Sequence, residues 1–334
     1  MKGKAILCLA LSLAILGAAT AGAQSSKTPK TITIGLAWNE KMQSLVQAWD
    51  DYMKQYSAEY GAKNGISIKW ITNVADSDPS QQASNIEDLI SQKVDVIIAR
   101  PHDAAAIGAS ITAARKAGIK FITFDRKSSG VQPDAHVGAD SYNQSISTSQ
   151  AFAKILKDKG IKGKAIELMG DLRDMNAVQR SNGWHKVESD MHQWETVIQV
   201  PTEWNPQKFL TGTANALQAH PEANCMFVAS DFCFSAVETA LKNADRWAPI
   251  GDPKHMYIAA QDVNPQGYEA MKGGYIDVAT TYDAYFHAVE LVKTAVRLAS
   301  GENLNGKDFL VPGRVATPAN VAKLDNMWAR DYKD

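Results

Sequence analysis

Short apolar runs alternate with longer amphipathic segments along most of this chain, and that rhythm constrains its fold more than any other feature. The runs "TITIGLAW" (Thr31–Trp38), "GISIKWITN" (Gly65–Asn73), "VDVIIAR" (Val94–Arg100) and "KFITFD" (Lys120–Asp125) each fit a strand. Between them lie helical patterns over Met42–Tyr60, stopped near Gly61, from Pro79 to about Gln92, and over the alanine-rich stretch closed by Gly118. Asp78 before Pro79 is a helix-start signal: the carboxylate caps free N–H groups, and proline needs none at the first helical position. A strand "AHVGAD" (Ala135–Asp140) leads into a second cycle, "KAIELMG", "ETVIQV", "NCMFVASD" and "MYIAAQD". Helical patterns separate these around Asn176–Met191, Pro206–Ala219 and Phe234–Asn243. Strands alternating with helices of this length predict an α/β protein with parallel sheets covered on both faces. Two cycles meeting near residue 138 predict two doubly wound parallel-sheet domains, with no low-complexity linker between them. Val46, Trp49 and Met53 are expected in the core.

The N-terminus predicts a destination. Met1–Lys4 is short and basic, Ala5–Ala19 is an uninterrupted apolar run, and small residues ending at Ala23 follow. That layout reads as a signal peptide over residues 1–23, cleaved between Ala23 and Gln24. The apolar run is shorter than the roughly 20 residues a membrane span needs. The chain carries 35 Lys and Arg against 36 Asp and Glu, so removing Lys2 and Lys4 with the leader leaves a net charge of −3. Such a balance gives no basic footprint, and no nucleic-acid partner is expected. Cys225 and Cys233 lie inside and just past one strand. A bridge between them would need a sharp reversal, so they read as two buried thiols rather than a staple.

In open α/β sheets, ligands bind beyond the carboxyl ends of the strands. Those ends are rich in polar side chains here. Asn39 follows the first strand, and Asp125 and Arg126 end the fourth. Asp171, Arg173 and Asp174 follow "IELMG", with Arg180 in the next helical segment. Ser230 and Asp231, Gln261 and Asp262, then Tyr282 and Asp283 end later runs, and Trp38 and Trp204 lie beside them. A single Asp at a strand end is ordinarily a cap or turn residue, a reading strongest for Asp231 and Asp283. Together the set suits a sugar or polyol. Each hydroxyl both donates and accepts, so it pairs at once with an acceptor-only carboxylate and a donor-only guanidinium. Indole and phenol rings offer apolar area to its C–H faces.

Catalytic patterns are absent from the sequence. There is no G-x-S-x-G elbow, no G-x-G-x-x-G after the first strand, no P-loop and no H-E-x-x-H spacing. No metal or other cofactor is therefore expected. His102 and His136 read as loop and strand residues with ordinary hydrogen bonds. His185 and His192 read as a solvated helical face. An α/β enzyme acting on carbohydrate would have to use Asp125 with Asp262 as its acid–base pair.

The stretches "ITIGLAWNEKMQSL", "DPSQQASNIEDLISQKVDVIIARPHDAAAI", "AGIKFITFDRK", "KAIELMGDLRDMNAVQRSNGW", "AHPEANCMFVASD" and "IAAQDVNPQGYEAMKGG" resemble the periplasmic sugar-binding proteins of ABC importers, of the ribose-binding type. The resemblance covers essentially the whole mature chain. It implies the type I periplasmic binding protein fold, two α/β lobes joined by three crossings near Gly138–Ser141, Tyr282–Asp283 and Leu310–Gly313. One lobe would comprise residues 31–137 plus 283–310 and the other 138–282 plus 311–334. It implies a monomer in the periplasm that carries a small carbohydrate or polyol to an inner-membrane ABC permease, a role compatible with chemotaxis reception. The ligand contacts it implies are Asn39, Asp125, Arg126, Arg180, the stacking ring Trp204, Ser230 with Asp231, Asp262 and Tyr282. Lys41 and Met42 stand where the family places a pair of aromatic rings, which leaves Trp38 to cover one ligand face. This departure makes a polyol, a cyclitol or a differently configured monosaccharide as good an expectation as ribose.

Overall fold

A computed structural model describes residues 30–332, so the signal-peptide reading lies outside the described residues. The first lobe is built from β1 (Lys30–Trp38), α1 (Ser44–Asn64), β2 (Ile66–Val74), α2 (Pro79–Ser91), β3 (Val96–Ala99), α3 (Ile107–Lys116), β4 (Lys120–Phe124) and β5 (Ala135–Ala139). The second uses α4 (Ser141–Asp158), β6 (Gly163–Met169), α5 (Met175–Met191), β7 (Trp194–Pro201), α6 (Pro206–Ala219), β8 (Cys225–Val228), α7 (Phe234–Asn243), β9 (Tyr257–Asp262), α8 (Pro265–Lys272) and β10 (Val278–Thr281). The chain then returns to the first lobe with α9 (Ala284–Ala299) and β11 (Lys307–Val311), and crosses again to β12 (Val315–Ala316).

The sheets run β11-β5-β4-β3-β1-β2 and β12-β10-β9-β8-β6-β7. Every pairing is parallel except that of β12 with β10. Each sheet reverses its strand order beside its first strand, and that reversal opens a crevice at the carboxyl ends. Three connections join the lobes: Asp140, Tyr282–Asp283 and Pro312–Arg314. Arg314 bridges the second and third, giving two hydrogen bonds to the Asp283 carboxylate (3.1 and 2.6 Å).

Local chemistry explains most boundaries. Asp78 accepts from the Ser80 and Gln81 N–H groups, and Asn205 caps the Pro206 helix in the same way. The first helix runs past Gly61 to Asn64 and ends at Gly65 in the left-handed conformation (φ 65°). Gly61 is there for contact: a Cβ on it would fall 2.7 Å from the Ile66 carbonyl oxygen. Helices α4, α8 and α9 and strands β11 and β12 add to the elements read from the sequence.

Val46, Trp49 and Met53 are fully buried in the first core, where Trp49 stacks on Trp38 and meets Phe124 edge-on at 4.8 Å. In the second core Trp184 stacks between Trp194 (4.1 Å) and Phe227 (4.7 Å). Cys225 and Cys233 are buried and form no disulfide; burial pushes the Cys225 thiol well up. No helix among the described residues is long and apolar enough to cross a membrane. The C-terminal tail packs on α8, and the Trp328 indole donates to the Tyr282 carbonyl at 2.9 Å. Tyr332 then reaches back to Asp51 on the first lobe (3.2 Å).

Two histidine and aspartate readings need correction. His185 is not a solvated-face residue. It bridges Glu167 (2.8 Å) on β6 and Glu188 (2.7 Å), which together raise its pKa to about 10. The mid-strand carboxylate of Glu167 points under the helix, and burying it requires a partner. Asp283 occupies the N-cap position of α9, yet its carboxylate goes to Arg314 rather than to the helix.

Helices α4 and α5 approach closely because Gly183 has no side chain. An added Cβ would lie 2.7 Å from Ser145 Cβ and 2.8 Å from the Tyr142 carbonyl oxygen. Gly183→Ala is expected to cost about 1–3 kcal/mol by overpacking, read as a lower melting temperature. An unchanged melting temperature would show that α5 shifts without cost.

Candidate functional site

The crevice between the lobes is lined by side chains from both of them. Asp125 stands at its centre. Its φ is 60°, and the Arg126 N–H donates back to the Phe124 carbonyl at 2.6 Å, closing a tight turn around it. That three-residue turn with positive φ is the rarer, strained form. The Asp125 N–H is held by the Val137 carbonyl of β5 (2.8 Å), so sheet pairing imposes the turn.

The carboxylate of Asp125 is heavily used. Arg100 Nε donates to Oδ2 at 2.5 Å; Asn176 Nδ2 (3.1 Å) and the Tyr282 hydroxyl donate to Oδ1. Burial opposes its charge, but the Arg100 and Arg126 guanidinium groups and these hydrogen bonds win, holding its pKa at about 2. Arg100 is steadied in turn by Asn39 (2.9 Å) and Glu40 (3.1 Å). Arg126 turns away from its neighbour, and its Nε lies 3.0 Å from Asp174 on the opposite lobe. The N–H does not point along that line, so the contact is an ion pair rather than an aligned hydrogen bond.

The second lobe answers with Arg180, whose guanidinium grips Asp262 with both terminal nitrogens (3.1 and 2.5 Å) and lies 5.5 Å from the centre of the Tyr282 ring. Asn176 and Arg180 are four apart on α5 and so share a face. Trp204, half-buried, provides an indole with Phe232 edge-on at 6.2 Å. Its backbone is left-handed (φ 54°), and its ring lies against Gly170, where any Cβ would overlap it. Asp262 (φ 90°) and Val263 (φ 55°) complete a cluster of strained residues. For a β-branched valine that conformation is a true outlier, and such strain gathers at ligand sites.

Of the residues named from the sequence, Asp125, Arg126, Asp174, Arg180, Trp204, Ser230, Asp262 and Tyr282 line this crevice. Four of the expected ligand contacts do not. Trp38 is wholly buried beneath it, stacked on Trp49, and offers no ring face to a ligand. Met42 is 90% exposed, on the surface ahead of α1. Asn39 sits behind Arg100 and orients it. Asp231 neither faces the crevice nor caps a helix: its Oδ1 accepts from the backbone and side-chain nitrogens of Asn264 (2.8 and 2.9 Å), which does line it.

Arg100, Asn176, Phe232 and Asn264, with Gln43 and Leu45, also line the crevice and escaped the sequence reading. Arg100 ends "VDVIIAR", so the strand-end rule applied to the third strand would have found it. Phe232 and Asn264 lie just two residues past Ser230 and Asp262, beyond where that rule stopped.

The profile of the periplasmic binding protein domain matches residues 34–303. The chain is 28% identical to the ribose import binding protein of Bacillus subtilis, across 69% of this chain and 74% of that one. It is 26% identical to the D-apiose import binding protein of Paraburkholderia graminis, across 76% and 79%. Among solved structures it is similar to an ABC transporter solute-binding protein of Bacillus halodurans with bound myo-inositol. That likeness has a TM-score of 0.77 at 26% identity and covers 89% of this chain and 98% of the other.

Asp231 carries a pH signature. Its Oδ2 is buried without a partner, and burial followed by the nearby Asp262 charge pushes its pKa well above the usual carboxylate range. A carboxyl whose pKa is raised on folding contributes its full stability below its unfolded value, about 4, and loses it as pH rises. The stability advantage of Asp231→Asn over the native protein is therefore expected to grow between about pH 4 and pH 8. Urea unfolding across that range, giving parallel curves for the two proteins, would contradict this assignment.

Proposed function

The chain belongs to the periplasmic binding protein family, and from that premise we propose that it captures a neutral monosaccharide, polyol or cyclitol between its lobes and delivers it to an ABC-type permease in the inner membrane. One observation carries the reading of the ligand. Each of three crevice arginines is held by an aspartate: Arg100 by Asp125, Arg126 by Asp174, and Arg180 by Asp262. The charges balance pairwise, so a charged ligand would meet no uncompensated opposite charge. A hydroxyl can accept from a guanidinium and donate to its aspartate together. Trp204 and Phe232 supply apolar area for the C–H faces.

The protein acts by binding rather than by turnover, as a monomer in the periplasm. Asp125 and Asp262, the pair an enzyme would need, are each engaged by an arginine. Closing the lobes around the ligand buries it from both sides, the hinge mode of capture. The relatives' ribose and myo-inositol make a pentose and a cyclitol the first compounds to try.

A thermal-shift panel of pentoses, hexoses, linear polyols and inositols, with gluconate and glucuronate as charged controls, tests this. A neutral compound is expected to raise the melting temperature, a stabilisation of about 2.7 kcal/mol at a hundredfold excess over Kd, while the acids do nothing. Silence across the neutral compounds, or a response to the acids alone, would refute the reading. For the compound that binds, Gly170→Ala is expected to weaken affinity at least tenfold, because the new methyl displaces the Trp204 ring. Isothermal titration measures this, and an unaltered Kd would remove Trp204 from the site.

A further inference from the structure

We propose that Asp174 is a positioning residue that couples closure of the lobes to the orientation of the Trp204 ring. The proposal rests on the reading of the crevice as a ligand site. Three structural roles converge on this one carboxylate. Its Oδ1 caps α5 by accepting the Asn176 N–H at 2.9 Å. Its Oδ2 accepts the Trp204 indole N–H at 3.1 Å. The same Oδ2 lies 3.0 Å from Nε of Arg126, which belongs to the other lobe.

The ring's other contacts are apolar packing against the cores of the fold. Gly170 and Phe232 pack against the ring, but neither selects the direction in which its N–H points. A hydrogen bond from its single N–H does. Asp174 is itself only 5% exposed, so in the closed protein its charge is compensated chiefly by Arg126. When the lobes part, Arg126 leaves with β4, and Oδ2 exchanges a guanidinium for water. The acceptor strength seen by the indole then changes with the lobe angle. The same helix carries Asn176 and Arg180, so the cap and the ring respond together.

A simple cap would behave differently, because Asn caps helices as well as Asp does and keeps a carbonyl for the indole. The test uses protein labelled with 5-fluorotryptophan, in which the Trp204 line among eight tryptophans is assigned with Trp204→Phe. At saturating ligand, where the lobes are closed, Arg126→Gln is expected to shift the fluorine line of Trp204, and in the open, ligand-free protein to leave it in place. In an Asp174→Asn background the same substitution is expected to leave the line where it is. A Trp204 line unmoved by Arg126→Gln at saturating ligand would overturn the proposal. So would an equal shift with and without the Asp174 carboxylate, which would mark a direct field from the guanidinium. The sugar panel shows whether a ligand binds and the fluorine line shows what closure does to the ring, so failure of the one is distinguishable from failure of the other.

Discussion

The Asp125 carboxylate is where the first lobe, the second lobe and the hinge meet. Arg100 reaches it from the end of β3, Asn176 from α5 across the crevice, and Tyr282 from the second crossing. A buried carboxylate without partners would be expensive, and Asn176 reaches it only when the lobes are in this relation. The arrangement thus ties an electrostatic need to a conformation. Removing one partner of such a buried pair costs far more than the pair contributes in water, so the site and the stability of the closed form are not separable at this residue.

Strain follows the same geography. Asp125, Trp204, Asp262 and Val263 all have positive φ, and all stand where a strand gives way to a loop facing the crevice or just behind it. The cores below are conventional: stacked tryptophans, aliphatic strands and capped helices. They hold the sheets rigid enough to keep these turns in conformations that short peptides avoid. Rigidity in the layers and tension at the rim are two aspects of one design, because side chains must leave the strand direction to converge on a ligand.

Much of the fold was legible in the sequence for a simple reason. Strand and helix periodicities reflect burial, and burial here follows the regular alternation of a doubly wound sheet. Asp78 announced its helix through local chemistry alone. The misreadings came where a neighbour distant in sequence decides the outcome. Gly61 looked like a stop and is a contact for Ile66; His185 looked solvated and is clamped by Glu167 from a strand. Trp38 looked like a ring for the ligand because alternation along β1 says nothing about what covers the strand's end. Trp49 covers it.

The sequence by itself determined the two-lobed α/β class, the strand ends that carry the crevice, and the presence there of acids, arginines and an indole, because each of these depends on short-range pattern. Only the tertiary structure decided which charge meets which. Arg126 adjoins Asp125 in sequence yet spans to Asp174, while Arg100, twenty-five residues earlier, takes Asp125. Ion pairing is set by the positions of side-chain tips in space, and those depend on strand order, on a strained turn and on the closure of two lobes.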